Sequence, residues 1–144
     1  MMPALQLAAA LAASPQFSHL LNPDTMYWAA GTLSGFLDNA PTYANFLSLG
    51  MAKYNMSYSS VQDVHQFAYG LGGNPDTYYL LEAISLGSVL FGAFSYIGNG
   101  PNFMVKAIAE SAGIKMPSFF KYIISFSIPF LLPVLALVYF LIVR

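Results

Sequence analysis

Cysteine is absent from the sequence, and histidine and charged residues are scarce. Without cysteine there are no disulfide bonds, zinc–thiolate or iron–sulfur sites, and two histidines leave little for a metal centre. Five Lys and Arg against six Asp and Glu leave no basic surface for phosphates, so nucleic acid is not an expected partner. Only 8% of the 144 residues are charged and 57% are hydrophobic. Because soluble domains average about 25% charged residues, we expect a membrane protein or a piece of one.

The clearest membrane segment is the last. Residues 122–143 form a run of 22 residues without a charge, bracketed by Lys121 and Arg144. As a helix the run would be roughly 33 Å long, enough for a hydrocarbon core of about 30 Å. Pro129 and Pro133 lie inside it, but membrane helices tolerate proline where neighbours satisfy the freed carbonyls. We therefore predict a last transmembrane helix here.

A second apolar segment, 77–97, carries one charge, Glu82. It is rich in small residues, which let helices approach closely in lipid: Ala83, Ser85, Gly87, Ser88, Gly92 and Ala93. We therefore expect it to pack inside a bundle. Glycine and proline at 98–102 then predict a break, and residues 103–111 a short helix beyond it.

An earlier unit has the same organisation. Residues 25–37 are apolar with a helical pattern, 38–42 are polar with a proline, and 43–52 resume the helix. The arms would be about 20 Å and 15 Å long, too short to span a bilayer alone. Length leaves two interpretations open, a re-entrant hairpin or one broken span.

The two breaks share a sequence pattern. Residues 39–43 read Asn-Ala-Pro-Thr-Tyr and residues 99–103 read Asn-Gly-Pro-Asn-Phe, 60 residues apart. Unwound backbone at membrane depth is tolerated where protein buries it or where it lines a watery cavity. Free carbonyls at a half-helix C-terminus suit a cation, and free N–H groups at a half-helix N-terminus suit an anion. Paired breaks of this kind indicate the binding site of a secondary transporter.

Asp38 is the ionisable residue that most suggests function. A carboxylate between two apolar arms is costly and is a functional hypothesis by default, with an N-cap for the next helix as the alternative. We expect Glu82 and Lys106 to lie at the membrane interfaces. We interpret Asp63 and His65 as a surface pair.

The remaining segments are less informative. Residues 53–76 are polar and predict an aqueous loop, with a short helix around 60–69. Residues 1–14 resemble a signal peptide but lack a preceding Lys or Arg, so we interpret them as the tail of a truncated transmembrane helix, with His19 in the turn that follows. Three lysines at 106–121 against Lys53 and Arg144 weakly predict that the 112–121 loop is cytoplasmic, with the 53–76 loop and the C-terminus outside.

Residues 31–43, 96–110 and 115–120 together resemble the C-terminal part of the citrate-transporter-like membrane proteins, often labelled NhaD-type sodium:proton antiporters. These are similar to the wider ion transporter superfamily. The resemblance implies an all-α membrane fold of two inverted repeats, each with a re-entrant helical hairpin and a broken transmembrane helix. Only the second repeat is present, and the resemblance divides the chain as follows: 1–24 end of a truncated helix and connecting turn, 25–52 re-entrant hairpin, 53–76 aqueous loop, 77–111 broken transmembrane helix, 112–144 cytoplasmic loop and last transmembrane helix.

The resemblance also implies a site where the hairpin tip meets the broken helix. Its hairpin side would be lined by Ser34, Asp38, Asn39 and Thr42, and its helix side by Gly98, Asn99 and Asn102. The symporter branch carries a Ser-Asn-Thr signature at each tip, which 38–42 here lacks. An aspartate there would repel a di-anion but suits Na⁺/H⁺ exchange.

Three functional hypotheses follow. The first is a C-terminal fragment of a secondary, ion-coupled transporter, working by alternating access on Na⁺ and H⁺ or on a Na⁺-coupled organic anion such as citrate. The second is a small membrane subunit or scaffold that docks a partner through its small-residue helix. The third, an intramembrane enzyme using Ser34 and His65, has no supporting motif, so we expect no enzyme.

The expected location is the bacterial inner membrane, with several passes. Expected partners are the lipid bilayer and the missing N-terminal repeat or a partner chain, with a homodimer of the complete transporter left open. No cofactor is expected beyond a transported Na⁺ or H⁺.

Overall fold

The computed structural model describes residues 20–71 and 73–143, which are helical and contain no strand. The truncated helix predicted at 1–14 and the turn at His19 lie outside the described residues. Six helices follow one another along the described residues: α1 Pro23–Ser34, α2 Asn39–Lys53, α3 Val61–Tyr69, α4 Asp76–Leu90 with a 3₁₀ turn at Phe91–Phe94, α5 Gly100–Ser111, and α6 Phe119–Val143.

The first two helices form an antiparallel pair. Asn22 caps α1 by accepting a hydrogen bond from the Thr25 N–H at 2.8 Å. At this same end of the pair, the Lys53 ammonium at the end of α2 donates to the Leu21 carbonyl at 2.6 Å. Met51 packs with the buried residue Met26 in one cluster. The chain therefore turns back at 35–38 and does not run straight through as one broken span.

Helix α4 packs inside the bundle, as its small residues predict. A Cβ added at Gly87 would lie 2.5 Å from the Tyr27 carbonyl oxygen, so α1 and α4 touch backbone to backbone. Of the most apolar stretch of α4, 44% is buried, compared with 11% for α6. Tyr27 is fully buried, and its hydroxyl donates to the Leu135 carbonyl at 2.9 Å. Helix α1 therefore contacts both α4 and α6.

Helix α6 runs antiparallel to α4 and is continuous through both prolines. Near its start the Ser127 hydroxyl donates to the Phe94 carbonyl at 2.6 Å, and near its end the Tyr139 hydroxyl donates to Asp24 at 2.8 Å. Residues Ile123–Leu131 are π-helical around Pro129, which is how the helix accommodates the missing N–H. The predicted last membrane helix is confirmed as a helix long and apolar enough to span, beginning at Phe119.

The loop after α2 contains the predicted short helix, α3. It begins at the cap Ser60 and ends at Gly70, whose φ of 64° is left-handed. The expected surface pair of Asp63 and His65 is not formed. Among the described residues Asp63 accepts from the Ser57 N–H at 2.8 Å, and the His65 ring packs on Tyr69 at 4.7 Å. The Asp63 carboxylate binds the turn before α3 and therefore does not pair with His65.

Both predicted breaks are real but lie earlier in the chain than the sequence indicates. The first break is residues 35–38 and the second is residues 95–99, so Pro41 and Pro101 fall inside the first turn of the following helix. A helix tolerates proline in its first turn, where the N–H groups have no intrahelical acceptor. The proline of each motif therefore follows the unwound segment and does not sit at its centre.

Candidate ion and substrate site at the two breaks

The two breaks lie against each other. A Cβ added at Gly98 would lie 2.8 Å from the Ser34 carbonyl oxygen and 2.9 Å from that of Gly35. The Ser95 hydroxyl, fully buried, donates to the Gly35 carbonyl at 2.5 Å. The end of α1 and the unwound segment after α4 are thus in backbone contact, and only glycine fits at position 98.

The Asn39 carboxamide is the main polar link between the breaks. It faces three acceptors, so its nitrogen, and not its oxygen, points toward them. In this orientation Nδ2 lies 2.7 Å from the Gly98 carbonyl, 2.7 Å from the Ser34 hydroxyl and 3.2 Å from the Ser88 carbonyl. A Cβ added at Gly92 would lie 2.9 Å from the Asn39 Cγ, so the carboxamide rests on the glycine face of the broken helix.

A buried pair of serines lies beneath Asn39. The Ser34 hydroxyl donates to the Ser88 carbonyl at 2.5 Å, and both residues are fully buried. The Ser88 hydroxyl has no hydrogen-bond partner among the described residues. A buried hydroxyl without a partner is costly, so this oxygen is available to a ligand that reaches the network.

The second break is held by two other side chains. Asn102, in the first turn of α5, donates to the Gly92 carbonyl at 2.9 Å and to the Ser95 carbonyl at 3.3 Å. The Ser95 hydroxyl accepts from the N–H groups of Ile97 and Gly98 at 3.2 and 3.1 Å. These bonds satisfy much of the unwound backbone and fix its shape.

The other three predicted site residues have different environments. Asp38 is exposed and occupies the N-cap position of α2, but its side chain makes no capping hydrogen bond. Thr42 is buried, and its hydroxyl donates to the Asp38 carbonyl at 2.9 Å. Asn99 is half-buried at the N-cap position of α5 and likewise makes no capping bond. The Asp38 carboxylate and the Asn99 amide are therefore not committed to capping.

The electrostatics of the region suit both signs of charge. Helix α1 and the 3₁₀ turn after α4 end here and direct carbonyls toward the breaks, while α2 and α5 begin here and direct N–H groups toward them. Within the described residues no three His, Asp or Glu side chains are close enough to hold a metal ion. Hard cations such as Na⁺ take carbonyl and hydroxyl oxygens of the kind present here as ligands.

Lys106 lies further along α5 and is already paired. Its ammonium is 2.7 Å from the Glu110 carboxylate and 5.5 Å from the centre of the Tyr96 ring. This pairing within the helix agrees with a lysine outside the polar network. The Ser34 and His65 of the enzyme hypothesis are each engaged elsewhere, with the Ser88 carbonyl and the Tyr69 ring.

The sequence prediction missed Ser88, Ser95 and Gly92 as members of this network. Ser88 and Gly92 were recognised only as small residues for helix packing. Ser95 has a local signal, because serine hydroxyls favour hydrogen bonds to the backbone N–H groups two and three residues later at turns. The contacts of Ser88 depend on α1, more than 50 residues away, and have no local signal.

Fold and site together define a class. Among the described residues two helices, Asp76–Phe94 and Phe119–Val143, are long and apolar enough to cross a membrane, and two unwound segments meet beside the end of the first. Paired breaks of this kind are typical of membrane transporters.

The sequence matches the family described as "Putative citrate transport" over residues 1–143, and the chain belongs to that family. No curated protein and no solved structure matches it. Membership confirms the resemblance to citrate-transporter-like proteins and supports a transport role.

Proposed function

We propose that the chain supplies one half of the binding site of a secondary transporter that couples an organic anion of the citrate class to a cation, Na⁺ or H⁺. The Asn39 carboxamide, which joins the two breaks through Gly98 and Ser34, is the observation that carries the proposal. It makes one polar unit out of two helix ends that present carbonyl acceptors and two that present N–H donors. A cation and an anion can then bind side by side.

The depth of the breaks supports this proposal. The second break adjoins Ser127 of α6 through the bond to Phe94. Ser127 lies eight residues, or about 12 Å, from the start of α6 and 16 residues, or about 24 Å, from its end. The polar network therefore falls within the thickness of a bilayer that α6 spans. In that setting α1 and α2 form a re-entrant hairpin with its tip at 35–38.

Asp38 is the proposed cation ligand. It is exposed at the hairpin tip, next to the half-buried Asn39, and is the acidic side chain nearest in sequence to the network. A carboxylate there would neutralise the coupling cation and would repel a citrate anion that arrives without one. Binding of the anion would then depend on prior binding of the cation. The two halves of the transporter would exchange access to this site between the two sides of the bacterial inner membrane.

The packing-subunit hypothesis loses its main support. Its docking face would be the small-residue side of α4. In the structure α1 of the same chain covers Gly87 on that side, and the Asn39 side chain covers Gly92. Gly87 and Gly92 therefore serve packing within the chain.

Uptake of radiolabelled citrate by proteoliposomes that contain the full-length protein tests the proposal. A Na⁺ or H⁺ gradient should drive uptake, and Asp38→Asn should reduce gradient-driven uptake by about tenfold or more, since a charged hydrogen bond or ion contact is worth roughly 1.5–3 kcal/mol. The matched control is Glu82→Gln on α4, which should transport like the wild type. Gradient dependence that persists unchanged in Asp38→Asn would overturn the role of Asp38, and absence of any gradient-driven uptake by the wild type would overturn coupled transport.

A further inference from the structure

A cavity with charged and phenolic side chains lies at the opposite end of the helices from the breaks. It has a volume of about 530 Å³ and is bounded by the start of α1, the end of α2, the start of α4 and the end of α6. The side chains important for its chemistry are Lys53, Tyr54, Asp76 and Tyr79, with Ile142 and Val143 at its edge. None of these residues belongs to the network at the two breaks.

The cavity lies at the level of a membrane surface. In the described part of the chain, α4 and α6 are the two helices long and apolar enough to span, and they run antiparallel, so Asp76 at the start of one and Val143 at the end of the other line the same cavity. Half of Tyr79 is exposed, and tyrosine is enriched where a membrane helix meets the headgroup layer. The outer face of α6 beside the cavity is apolar and exposed, with Leu141 at 74% exposure. A lipid molecule lying along α6 would therefore have its headgroup at the mouth of this cavity.

The positive charge of the cavity is held in place but not neutralised. The Lys53 ammonium uses one donor on the Leu21 carbonyl and lies 5.4 Å from the centre of the Tyr54 ring. An ammonium has three donors, so two remain. In the described part of the chain no carboxylate lies within ion-pair distance of Lys53.

A negatively charged side chain also lines the cavity. Asp76 is exposed at the first position of α4, and among residues 20–71 and 73–143 it forms no ion pair with Lys53 or any other cation. Burial, and after it the negative charge of Asp76, raises the pKa of Tyr54. The Tyr54 phenol therefore keeps its proton and remains a hydrogen-bond donor. The cavity thus presents a cation and a phenol donor together with an anion that the cation does not touch.

We propose that this cavity binds the headgroup of a phospholipid that has a phosphate and a primary ammonium, the phosphatidylethanolamine class. Lys53 and Tyr54 donate to the phosphate, and Asp76 accepts from the ammonium. A choline headgroup has no N–H to donate to Asp76, and a purely anionic headgroup meets Asp76 with the same sign of charge. Ile142 and Val143 contact the start of the acyl chains.

Native mass spectrometry of the full-length protein in detergent, doped with phosphatidylethanolamine, phosphatidylcholine or phosphatidylglycerol of identical acyl chains, tests this assignment. We expect phosphatidylethanolamine to be retained about tenfold more strongly than either of the other two. Lys53→Gln and Asp76→Asn should each remove that preference. Lys115→Gln, in the exposed loop before α6, is the matched control and should keep it.

Two further measurements distinguish headgroup binding from misfolding of a variant and from binding of a different ligand. Lys53→Arg retains the charge and should retain most of the lipid preference, which separates headgroup binding from a loss of the bond to Leu21. Equal retention of the three lipids by the wild type would overturn the proposal. A preference for phosphatidylglycerol that Asp76→Asn leaves unchanged would also overturn it, as would displacement of bound lipid by millimolar citrate in a Lys53-dependent manner, because the cavity would then be an entrance for organic anions.

Discussion

The two breaks share one sequence pattern but use it differently. In the first, the asparagine at the head of the motif, Asn39, is the first residue of α2 and reaches across to Ser34 and Gly98. In the second, the equivalent Asn99 is the N-cap of α5 and makes no capping bond, and Asn102 holds the broken helix together. A shift of one residue in the helix start decides which side chain closes the structure. In neither motif does the N-cap side chain, Asp38 or Asn99, make a capping hydrogen bond.

Gly98→Ala should have the largest effect on the stability of the contact between the two breaks. The added Cβ would lie within 2.9 Å of three carbonyl oxygens, those of Ser34, Gly35 and Gly92. We expect a loss of about 1–3 kcal/mol of stability, the usual cost of overpacking, and loss of citrate uptake because the breaks are forced apart. Gly100→Ala is the matched control, since nothing lies within 4 Å of its Cβ. Thermal unfolding of the detergent-solubilised protein measures both, and equal midpoints for the two variants would contradict the close approach at position 98.

The next largest effect is the difference in stability loss between Asn39→Ala and Asn99→Ala. Loss of the Asn39 amide leaves the buried Gly98 carbonyl without its donor and should cost roughly 1–3 kcal/mol. Asn99→Ala should cost less, roughly 0.5 kcal/mol, because it removes no hydrogen bond that the structure shows within the helix cap. Unfolding midpoints of the two variants, compared with the wild type, check this order. The reverse order would mean that the second motif, and not the first, holds the breaks together.

A smaller effect is expected for Asn102→Ala. Its amide is half-buried and donates to two carbonyls of the second break, of which the Gly92 bond at 2.9 Å is the shorter. A loss of about 1 kcal/mol is expected for one such bond. Hydrogen exchange should rise at the N–H groups of 97–102 and not at those of 35–40. A rise at both segments would contradict this expectation, because it would show that the two breaks open together when Asn102 is lost.

The smallest effect on stability should come from Asp38→Asn. The side chain is exposed and caps no N–H group, so we expect a change within about 0.5 kcal/mol. Its effect on cation-driven uptake should nevertheless be large. The pairing of near-native stability with lost coupling separates a ligand from a structural cap. A clear drop in the unfolding midpoint would instead assign Asp38 to the N-cap alternative.

Much of this organisation could be predicted because its causes are local. The length of the apolar runs predicted α4 and α6, the small residues predicted the burial of α4, and Gly and Pro located both breaks to within a few residues. Because of the prolines, both breaks were predicted a few residues too late in the chain. Proline in a first helical turn looks the same in sequence as proline at the centre of a break. The role of Ser88 could not be predicted, because its partner comes from α1, 54 residues away in the chain. The local bonds of Ser95 have a sequence signal, but its bond to Gly35 in the first break spans 60 residues and has none.

Transport by the proposed mechanism requires that the two breaks form one water-accessible site. The chain contains no cysteine, so a single engineered thiol reports on one position alone. Ala40→Cys places that thiol on an exposed position beside Asn39, and Val134→Cys places one on the exposed face of α6. We predict that a charged methanethiosulfonate reagent labels position 40 in membranes and that Na⁺ with citrate slows this labelling, while position 134 stays unlabelled. Labelling at position 40 that Na⁺ and citrate leave unchanged, or no labelling there at all, would contradict the claim.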